Sequence, residues 1–565
     1  MSNKSAVKKL IMLLESYRKI IAFIICCLLI STGLNMCIPL LSRRIMDDGF
    51  IGGDKKLLIE LVLNSFLIYA VIAVIDIIKE KKRVDIAANI QYSLSEQSFK
   101  HLMKIKAEYF SNKNYAEILS SINMDIGNMA SIADESVFFV ITQAFSVAGG
   151  IIGLFILDYR MTLVVLFFIP VKVVMMKYFA KRRKLIMDEF IAESEKYAGW
   201  FGDTVGGVRE VKIFGILGNK CEEFARGQTS VISKQKKMNM LTQWNGLTDN
   251  VMVHLLITYI YIFGANLVFD MQLSVGSVFA FITYSAYVTG PISAILNIGY
   301  LLSGILPSTK RYYEFMDMEE ENNDGNRTLA PEFGDIEFRQ VSFAYHNDKP
   351  VIENINLIFP KGSKTALIGK NGSGKSTIIE LLLQMYAPTK GKILLAGDEI
   401  LNISLEEYRD MFSVVSQDIY LFNDTIRNNI CLYKQVEDKL ILDACKDSGL
   451  IEFVEDVSLD YLVGQNGTML SGGQKQKIAL ARALIHDRPI VVFDEVTSST
   501  DACSEQQINA LLHTRLKYKT VIVITHKEEI LNEMNQVVIL ERGKINIAGE
   551  YENVKKSKYW LNLHT

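Results

Sequence analysis

Residues 369–377 read GKNGSGKST, between a strand-like run (TALI) and a helix-like one (TIIELLLQM). This fits G-x-x-x-x-G-K-[ST], a loop whose backbone N–H groups curl around phosphate oxygens. Gly369, Gly372 and Gly374 permit the curl, with Asn371 and Ser373 between them. Lys375 then reaches the β- and γ-phosphates, the Ser376 hydroxyl suits Mg²⁺, and Thr377 follows in the first helical turn. A Gly-rich turn can arise by chance, but the strand–loop–helix setting favours phosphate. Residues 490–495, IVVFDE, read as a buried strand ending in two carboxylates. Ligand sites of open α/β sheets gather at that carboxyl edge. Asp494 suits Mg²⁺ through water, which leaves Glu495 to polarise an attacking water. A plain strand–turn boundary is the bland alternative. A second anion site is written into LSGGQKQKIALARAL, where Ser471, Gly472, Gly473 and Gln474 open a helix-forming run. Unpaired N–H groups and the helix dipole point the same way there.

These motifs need a sheet to carry them, and the C-terminal half supplies it. KTALIG, IVVFDE and TVIVITH are short, β-branched runs apolar on both faces, the pattern of a parallel sheet covered by helices. IEFRQVSFAY and the hairpin-like VVILERGKINIAGE read as antiparallel pieces beside it. The N-terminal half differs in kind. The whole 565-residue chain is 49% hydrophobic, with a mean hydropathy of +0.18, too apolar for a purely soluble protein of this size. Six runs approach the roughly 20 apolar residues of a spanning helix: 20–41, 57–78, 137–157, 162–180, 247–269 and 275–305. The expected division is a transmembrane domain over 1–317, a polar linker over 318–335 and an α/β P-loop ATPase domain over 336–565. Val7, Leu10, Ile11 and Leu14 recur at helical spacing before the first run, as in a helix lying at a membrane surface. No cleavable signal is expected, because the first run is long enough to stay in the bilayer and lacks a cleavage site.

Basic residues set the expected orientation. Lys79, Lys81, Lys82, Arg83, Lys100, Lys104 and Lys106 follow span two, and Lys177, Lys181, Arg182, Arg183 and Lys184 follow span four. The loops DYRM and DMQLS hold almost none; Arg43 and Arg44 are offset by Asp47 and Asp48. Both termini are therefore expected in the cytoplasm, with the two basic segments continuing into the cytosol as helices. A net charge of −2 gives no basic field for nucleic acid. The seven cysteines (26, 27, 37, 221, 431, 445 and 503) show no C-x-x-C spacing and read as reduced thiols.

Phosphate loop, LSGGQ and FDE, in this order and spacing, resemble the nucleotide-binding domain of an ABC transporter. On that resemblance Tyr345 stacks on adenine, Gln417 in VVSQD touches Mg²⁺, His526 in VITHK contacts the γ-phosphate, and Asp501 in SSTD communicates between two sites. The resemblance implies head-to-tail pairing, in which Ser471 to Gln474 of one copy cap the ATP held by Lys375 of the other. One chain then cannot complete a site alone. A homodimer is expected, since Glu495, LSGGQ and His526 are all kept; a heterodimer remains open. The membrane half resembles the exporter form of the family. FGDTVGGVREVKIFG (201–215) resembles the second coupling segment and YFSNKNYAEILSSINMDI (109–126) the first. Gln465 stands where the family usually has Glu, in a loop that touches those segments.

The resemblance implies a half-transporter in the bacterial cytoplasmic membrane, exporting a peptide, a lipid or an amphipathic small molecule by alternating access. An importer on the same fold and an ATP-gated channel or sensor are the rival classes. No leader-peptidase domain is expected. Polar residues of the spans are the clues to substrate: Lys172, Asp76, Gln143, His254, Asn266 and Asn297. Lys172 and Asp76 could instead snorkel or pair. Pro39, Pro170 and Pro291 are expected to bend their helices. Met175, Met176 and the Tyr-rich ITYSAYV could form an adaptable pocket.

Overall fold

The computed structural model describes residues 2–110, 115–133, 135–321, 334–345, 349–494 and 502–564. They divide into two compact units, Met1–Met103 with Asn114–Met318, and Lys104–Lys113 with Glu319–Thr565.

The first unit is helical: α1 (Asn3–Glu15), α2 (Arg18–Arg44), α3 (Lys55–Leu102), α4 (Tyr115–Ala130), α5 (Glu135–Leu157), α6 (Tyr159–Gly206), α7 (Val208–Ile213), α8 (Leu217–Phe269) and α9 (Val275–Met316). Helix α3 has 48 residues, α6 has 48 and α8 has 53. At 1.5 Å per residue each runs about 70–80 Å, more than twice a ~30 Å hydrocarbon core. The helical continuation expected from the polar inner segments is therefore present. Among the described residues, five helices are long and apolar enough to cross a membrane; Ile141–Leu157 of α5, within the expected third span, is a shorter apolar stretch. Short connections between the long helices are fixed by polar caps. Asp158 accepts from the N–H groups of Arg160 (2.8 Å) and Met161 (3.0 Å) to start α6. Arg160 donates across to Gln272 at 2.8 Å. Asp47 accepts from the N–H of Gly276 at 2.8 Å and so joins the end of α2 to the start of α9.

Two apolar clusters hold this unit. Leu154, Met161, Val165, Leu256, Ile260 and Phe281 join α5, α6, α8 and α9. Leu10, Ile24, Leu28, Ile86, Ile90, Ile126 and Tyr312 join α1 to α2, α3, α4 and α9. Leu10 is thus packed into the bundle, while Val7 and Ile11 of the same helix stay exposed. Phe66, Leu67, Val74 and Ile77 of α3 are also exposed, as suits a helix face against lipid. Pro39, Pro170 and Pro291 lie inside α2, α6 and α9.

The second unit holds β1 (Ile336–Phe343), β2 (Ile352–Phe359), β3 (Lys364–Ile368), helix α10 (Lys375–Leu382), β4 (Lys390–Leu395), β5 (Asp398–Glu399), β6 (Phe412–Val415), β7 (Ile490–Asp494), β8 (Thr520–Ile524), β9 (Gln536–Glu541) and β10 (Lys544–Gly549). One sheet, ordered β2-β1-β4-β5, is antiparallel. The other is ordered β10-β9-β3-β8-β7-β6, with β9, β3, β8, β7 and β6 parallel and β10 antiparallel at the edge. The β-branched runs make the parallel strands because they bury both faces; β8 is buried at all five positions. One face packs on Ile478, Ala481, Leu484 and Leu512, the other on Ile378, Leu381 and Leu382 of α10.

The stretch leaving α3 belongs to this second unit. Ile105 bridges Glu320, the N–H of Glu321 donates to the Lys104 carbonyl at 2.7 Å, and Arg409 holds Glu321 through two bonds of 2.7 and 3.0 Å.

Candidate nucleotide site and polar groups of the membrane half

Four expected site segments follow the carboxyl ends of neighbouring parallel strands: 369–377 after β3, His526 after β8, Asp494 at the end of β7 and Gln417 after β6. Parallel register puts them at one edge; Asp494 pairs with Ile524, and Leu367 also pairs with Ile524. Gln417 and His526 are exposed there and Asp494 is half-buried.

The loop after β3 has little room for side chains. A Cβ on Gly369 would lie 2.3 Å from the Leu540 carbonyl oxygen. Gly374 caps α10 at φ 103°, a left-handed conformation natural to glycine, and brings no side-chain cap. The first N–H groups of α10 are therefore left for another acceptor. Lys375 is buried and its Nζ donates to the carbonyls of Gly369 (2.7 Å) and Lys370 (3.4 Å), so the ammonium lies over the loop. The Ser373 hydroxyl is buried with no hydrogen-bond partner among the described residues. Its carbonyl accepts from the N–H of Gly543 at 3.1 Å, which ties the loop to the β9–β10 hairpin. Asn371, Gly372 and Ser376 are exposed, and Thr377 is buried. A cradle lined by N–H groups, with an ammonium and an unsatisfied hydroxyl, fits a polyphosphate. The hydroxyl of Ser376, the amide of Gln417 and the carboxylate of Asp494 are hard oxygen donors, the set that suits Mg²⁺.

Tyr345 stands beside this cradle. Its ring meets Phe343 edge-on at 4.9 Å and Tyr386 at 5.1 Å. Its hydroxyl pairs with the Thr377 hydroxyl at 2.9 Å and donates to Glu380. Burial, and then the Glu380 carboxylate, push that hydroxyl well above the ordinary tyrosine range. Its polar tip is thus anchored to α10, a contact that the sequence alone does not reveal.

Ser471 caps the helix Gly472–Ile485 in a capping box: its hydroxyl accepts from the Gln474 N–H at 3.3 Å, and Gln474 Oε1 accepts from the Ser471 N–H at 2.8 Å. The Ser471 oxygen accepts, so its proton is still available to donate. Among the described residues these two groups bond one another and not the loop after β3. A Cβ on Gly472 or Gly473 would meet nothing within 4 Å. This chain's own packing thus gives no reason for glycine at either position. Further along, Lys475 donates to the Asn466 carbonyl at 2.8 Å, and Arg482 to the Asn429 carbonyl at 2.8 Å and Tyr420 at 3.3 Å. The Arg482 bonds fix the helix to the segment following Gln417, which only the fold brings beside it. Gln465 is exposed, one residue before Asn466. Glu495 and Asp501 lie outside the described residues.

The polar span residues sort differently. Lys172 is buried on α6, 2.7 Å from Asp249 of α8 and 2.8 Å from the Thr289 carbonyl of α9. It pairs instead of snorkelling, and Asp249 was not singled out from sequence. Asp76 pairs with Lys79 at 2.7 Å and accepts from Ser31 at 3.3 Å. Both line a pocket of about 490 Å³ that also takes in Gln143 and Tyr287. Of the aromatic stretch ITYSAYV, Tyr287 reaches that pocket while Tyr284 is buried and donates to the Met36 carbonyl. Met176 is buried on α6. His254 and Asn266 are exposed; the side chain of Asn297 lies outside the described residues.

Comparison with known proteins places both halves. Residues 21–292 match the ABC transporter transmembrane region and 352–498 match the ABC transporter family. The ATP-dependent lipid A-core flippase of Alcanivorax borkumensis is 30% identical over 482 residues, covering 83% of this chain and 81% of its own length. That of Nitrosococcus oceani is 28% identical over 566 residues, 98% and 94% of the two chains. A bacterial Atm1-family ABC exporter with ATP bound shares the fold, with a TM-score of 0.81 at 21% identity over 97% of this chain and 98% of that one. The chain belongs to the ABC transporters, as an integral-membrane half-transporter of the exporter type that couples ATP hydrolysis to transport.

Proposed function

We propose that the chain exports a lipid or other amphiphile across the bacterial cytoplasmic membrane, as a homodimer with both termini in the cytoplasm. Residues 1–317 form the transmembrane domain, 318–335 the linker and 336–565 the nucleotide-binding domain. The observation that carries this reading is the gathering of the phosphate cradle, Asp494, Gln417 and His526 at one sheet edge, in a chain whose other half is built of long apolar helices. Flippase relatives over most of the chain support a lipid-like cargo.

In this reading Gly369, Asn371, Gly372, Ser373 and Gly374 present backbone N–H groups to the polyphosphate of ATP, and Thr377 supports the turn. Lys375 leaves its carbonyl partners for the phosphate oxygens. Mg²⁺, when bound, neutralises phosphate charge, and Ser376, Gln417 and Asp494 would hold it. Tyr345 flanks the base, Glu495 takes a proton from the attacking water, and His526 donates toward the γ-phosphate. Ser471, Gly472, Gly473 and Gln474 cap the nucleotide bound by the other copy, and Asp501 links the two sites. Open space around Gly472 and Gly473 supports this, because close approach by a second chain needs bare backbone there.

The test is reconstitution of the purified chain in liposomes containing a headgroup-labelled fluorescent lipid. With the nucleotide-binding domains outside, ATP should move label into the lumen-facing leaflet and shield it from a membrane-impermeant quencher. Movement in the opposite direction would make the chain an importer, and ion conductance without lipid movement would make it a gate.

A further inference from the structure

The pocket between α2, α3, α5 and α9 has a particular chemistry. Its volume of about 490 Å³ is that of a small-molecule site. Asp76 and Lys79 of α3 are the charged residues among its lining, one of each sign, and they are paired at 2.7 Å. Ser31 of α2 donates to the same carboxylate. Around them stand Asn35, Gln143 and Tyr287, side chains that both donate and accept. The pair is not sealed. In the Lys172–Asp249 pair the side chains keep 4% and 27% exposed, with Lys172 also held by the Thr289 carbonyl, whereas here Asp76 keeps 43% and Lys79 20%.

Depth adds a constraint. From the outer start of α3 at Lys55, Asp76 lies about 30 Å along the helix, the far edge of a ~30 Å hydrocarbon core. Tyr287 lies about 18 Å from the outer start of α9. The polar wall therefore runs from mid-membrane to the level of the inner headgroups.

At the edge of the core, with both side chains part-exposed, the pair itself is held at little cost, but a ligand that engages only one of its charges leaves the other without its partner. A ligand with net charge would upset the match. A headgroup carrying one cation and one anion would not: its ammonium can take Asp76, its anion can take Lys79, and the pocket stays neutral. We propose that this pocket is a headgroup site selective for zwitterionic amphiphiles, those carrying an ammonium and a phosphate on one head. The proposal rests on the amphiphile-export reading and names the class of cargo.

The test uses full-length protein in dodecyl maltoside. Equilibrium binding of radiolabelled lysophosphatidylethanolamine is measured without nucleotide, against competing anionic lysophosphatidylglycerol or cationic alkyltrimethylammonium. ATPase activity is measured separately. The parent should bind the zwitterion at least about tenfold more tightly than either competitor. Asp76→Asn leaves Lys79 uncompensated and should turn preference toward the anionic probe; Lys79→Gln should turn it toward the cationic one. The exchange Asp76→Lys with Lys79→Asp restores neutrality and should restore zwitterion preference, which guards against a folding defect in either single variant. A parent that prefers the anionic probe, or selectivity unmoved by both single variants, overturns the proposal. Loss of ATPase under every condition would instead strike the transporter reading and leave the binding result standing.

Discussion

Lys375 and Glu495 make opposite predictions at the scale of single residues. The Lys375 ammonium is held over the loop by two carbonyls, and in the proposed function it moves from them to phosphate. Lys375→Ala should weaken ATP binding about 10- to 100-fold, the worth of a charge-assisted hydrogen bond, as read by fluorescent-nucleotide titration. Glu495→Gln keeps shape while removing a base, so ATP should bind and stay unhydrolysed, with the rate down about 10²–10⁴-fold. A Glu495→Gln protein hydrolysing at the parent rate would remove Glu495 from the mechanism. His486 carries a pH prediction. Burial, then the nearby cations Lys434, Arg488 and Arg482, hold its imidazole below the ordinary 6.5. The unfolded imidazole therefore binds a proton at higher pH than the folded one, so stability is present above about pH 6.5 and is lost as pH falls below it. Melting of the intact protein should be lower at about pH 5.5 than at about pH 7.5, and His486→Gln should narrow the gap. An unchanged gap would exclude His486 as a source of the acid sensitivity.

Between elements, the Lys172–Asp249 pair joins α6 and α8, and Lys172 reaches α9 through the Thr289 carbonyl. Removing one partner of a fully buried pair costs about 3–5 kcal/mol because the other charge is stranded, and removing both costs far less; Asp249 keeps 27% of its side chain exposed, so water offsets part of that loss here. Lys172→Met should therefore lower the melting temperature in detergent markedly. Lys172→Met with Asp249→Leu should recover most of the loss. If the double variant melts no higher than the single, the pair does not hold the helices in the manner described. The same scale explains how the phosphate cradle is kept in shape. Ser373 hangs from the β9–β10 hairpin through Gly543, and Tyr345 reaches across to α10 through Thr377 and Glu380. Neither support is adjacent in sequence to the loop it steadies.

For the whole molecule, the proposed function makes each ATP site draw parts from two copies. Lys375→Ala and Ser471→Ala should each be inactive alone. Mixed before reconstitution, they should form heterodimers with one intact site and one doubly broken. Equal mixing makes about half the dimers mixed, so hydrolysis should return to about a quarter of the parent rate if the sites act independently. No recovery, with dimer exchange confirmed by pull-down of a tagged copy, would place Ser471 and Lys375 of one chain in the same site.

Much of this protein was legible in its sequence because its strongest signals are local. A strand, a glycine loop and a helix start lie within about fifteen residues, and the steric needs of that turn dictate GKNGSGKST directly. Long apolar runs announce spanning helices because a bilayer demands an uninterrupted length, and β-branched runs announce buried parallel strands for a similar reason. The family likeness follows from the order of such motifs. What the sequence could not supply was any pairing across elements. Lys172 was visible as a polar residue in a span, but Asp249, 77 residues on, becomes its partner only because α6 and α8 pack side by side. Asp76, Gln143 and the Tyr-rich ITYSAYV were three separate observations on α3, α5 and α9 until helix packing put Asp76, Gln143 and Tyr287 around one pocket. Side-chain chemistry is written residue by residue, but whether a charge is sealed in a pair or open to a ligand depends on which faces meet, and only the tertiary structure decides that.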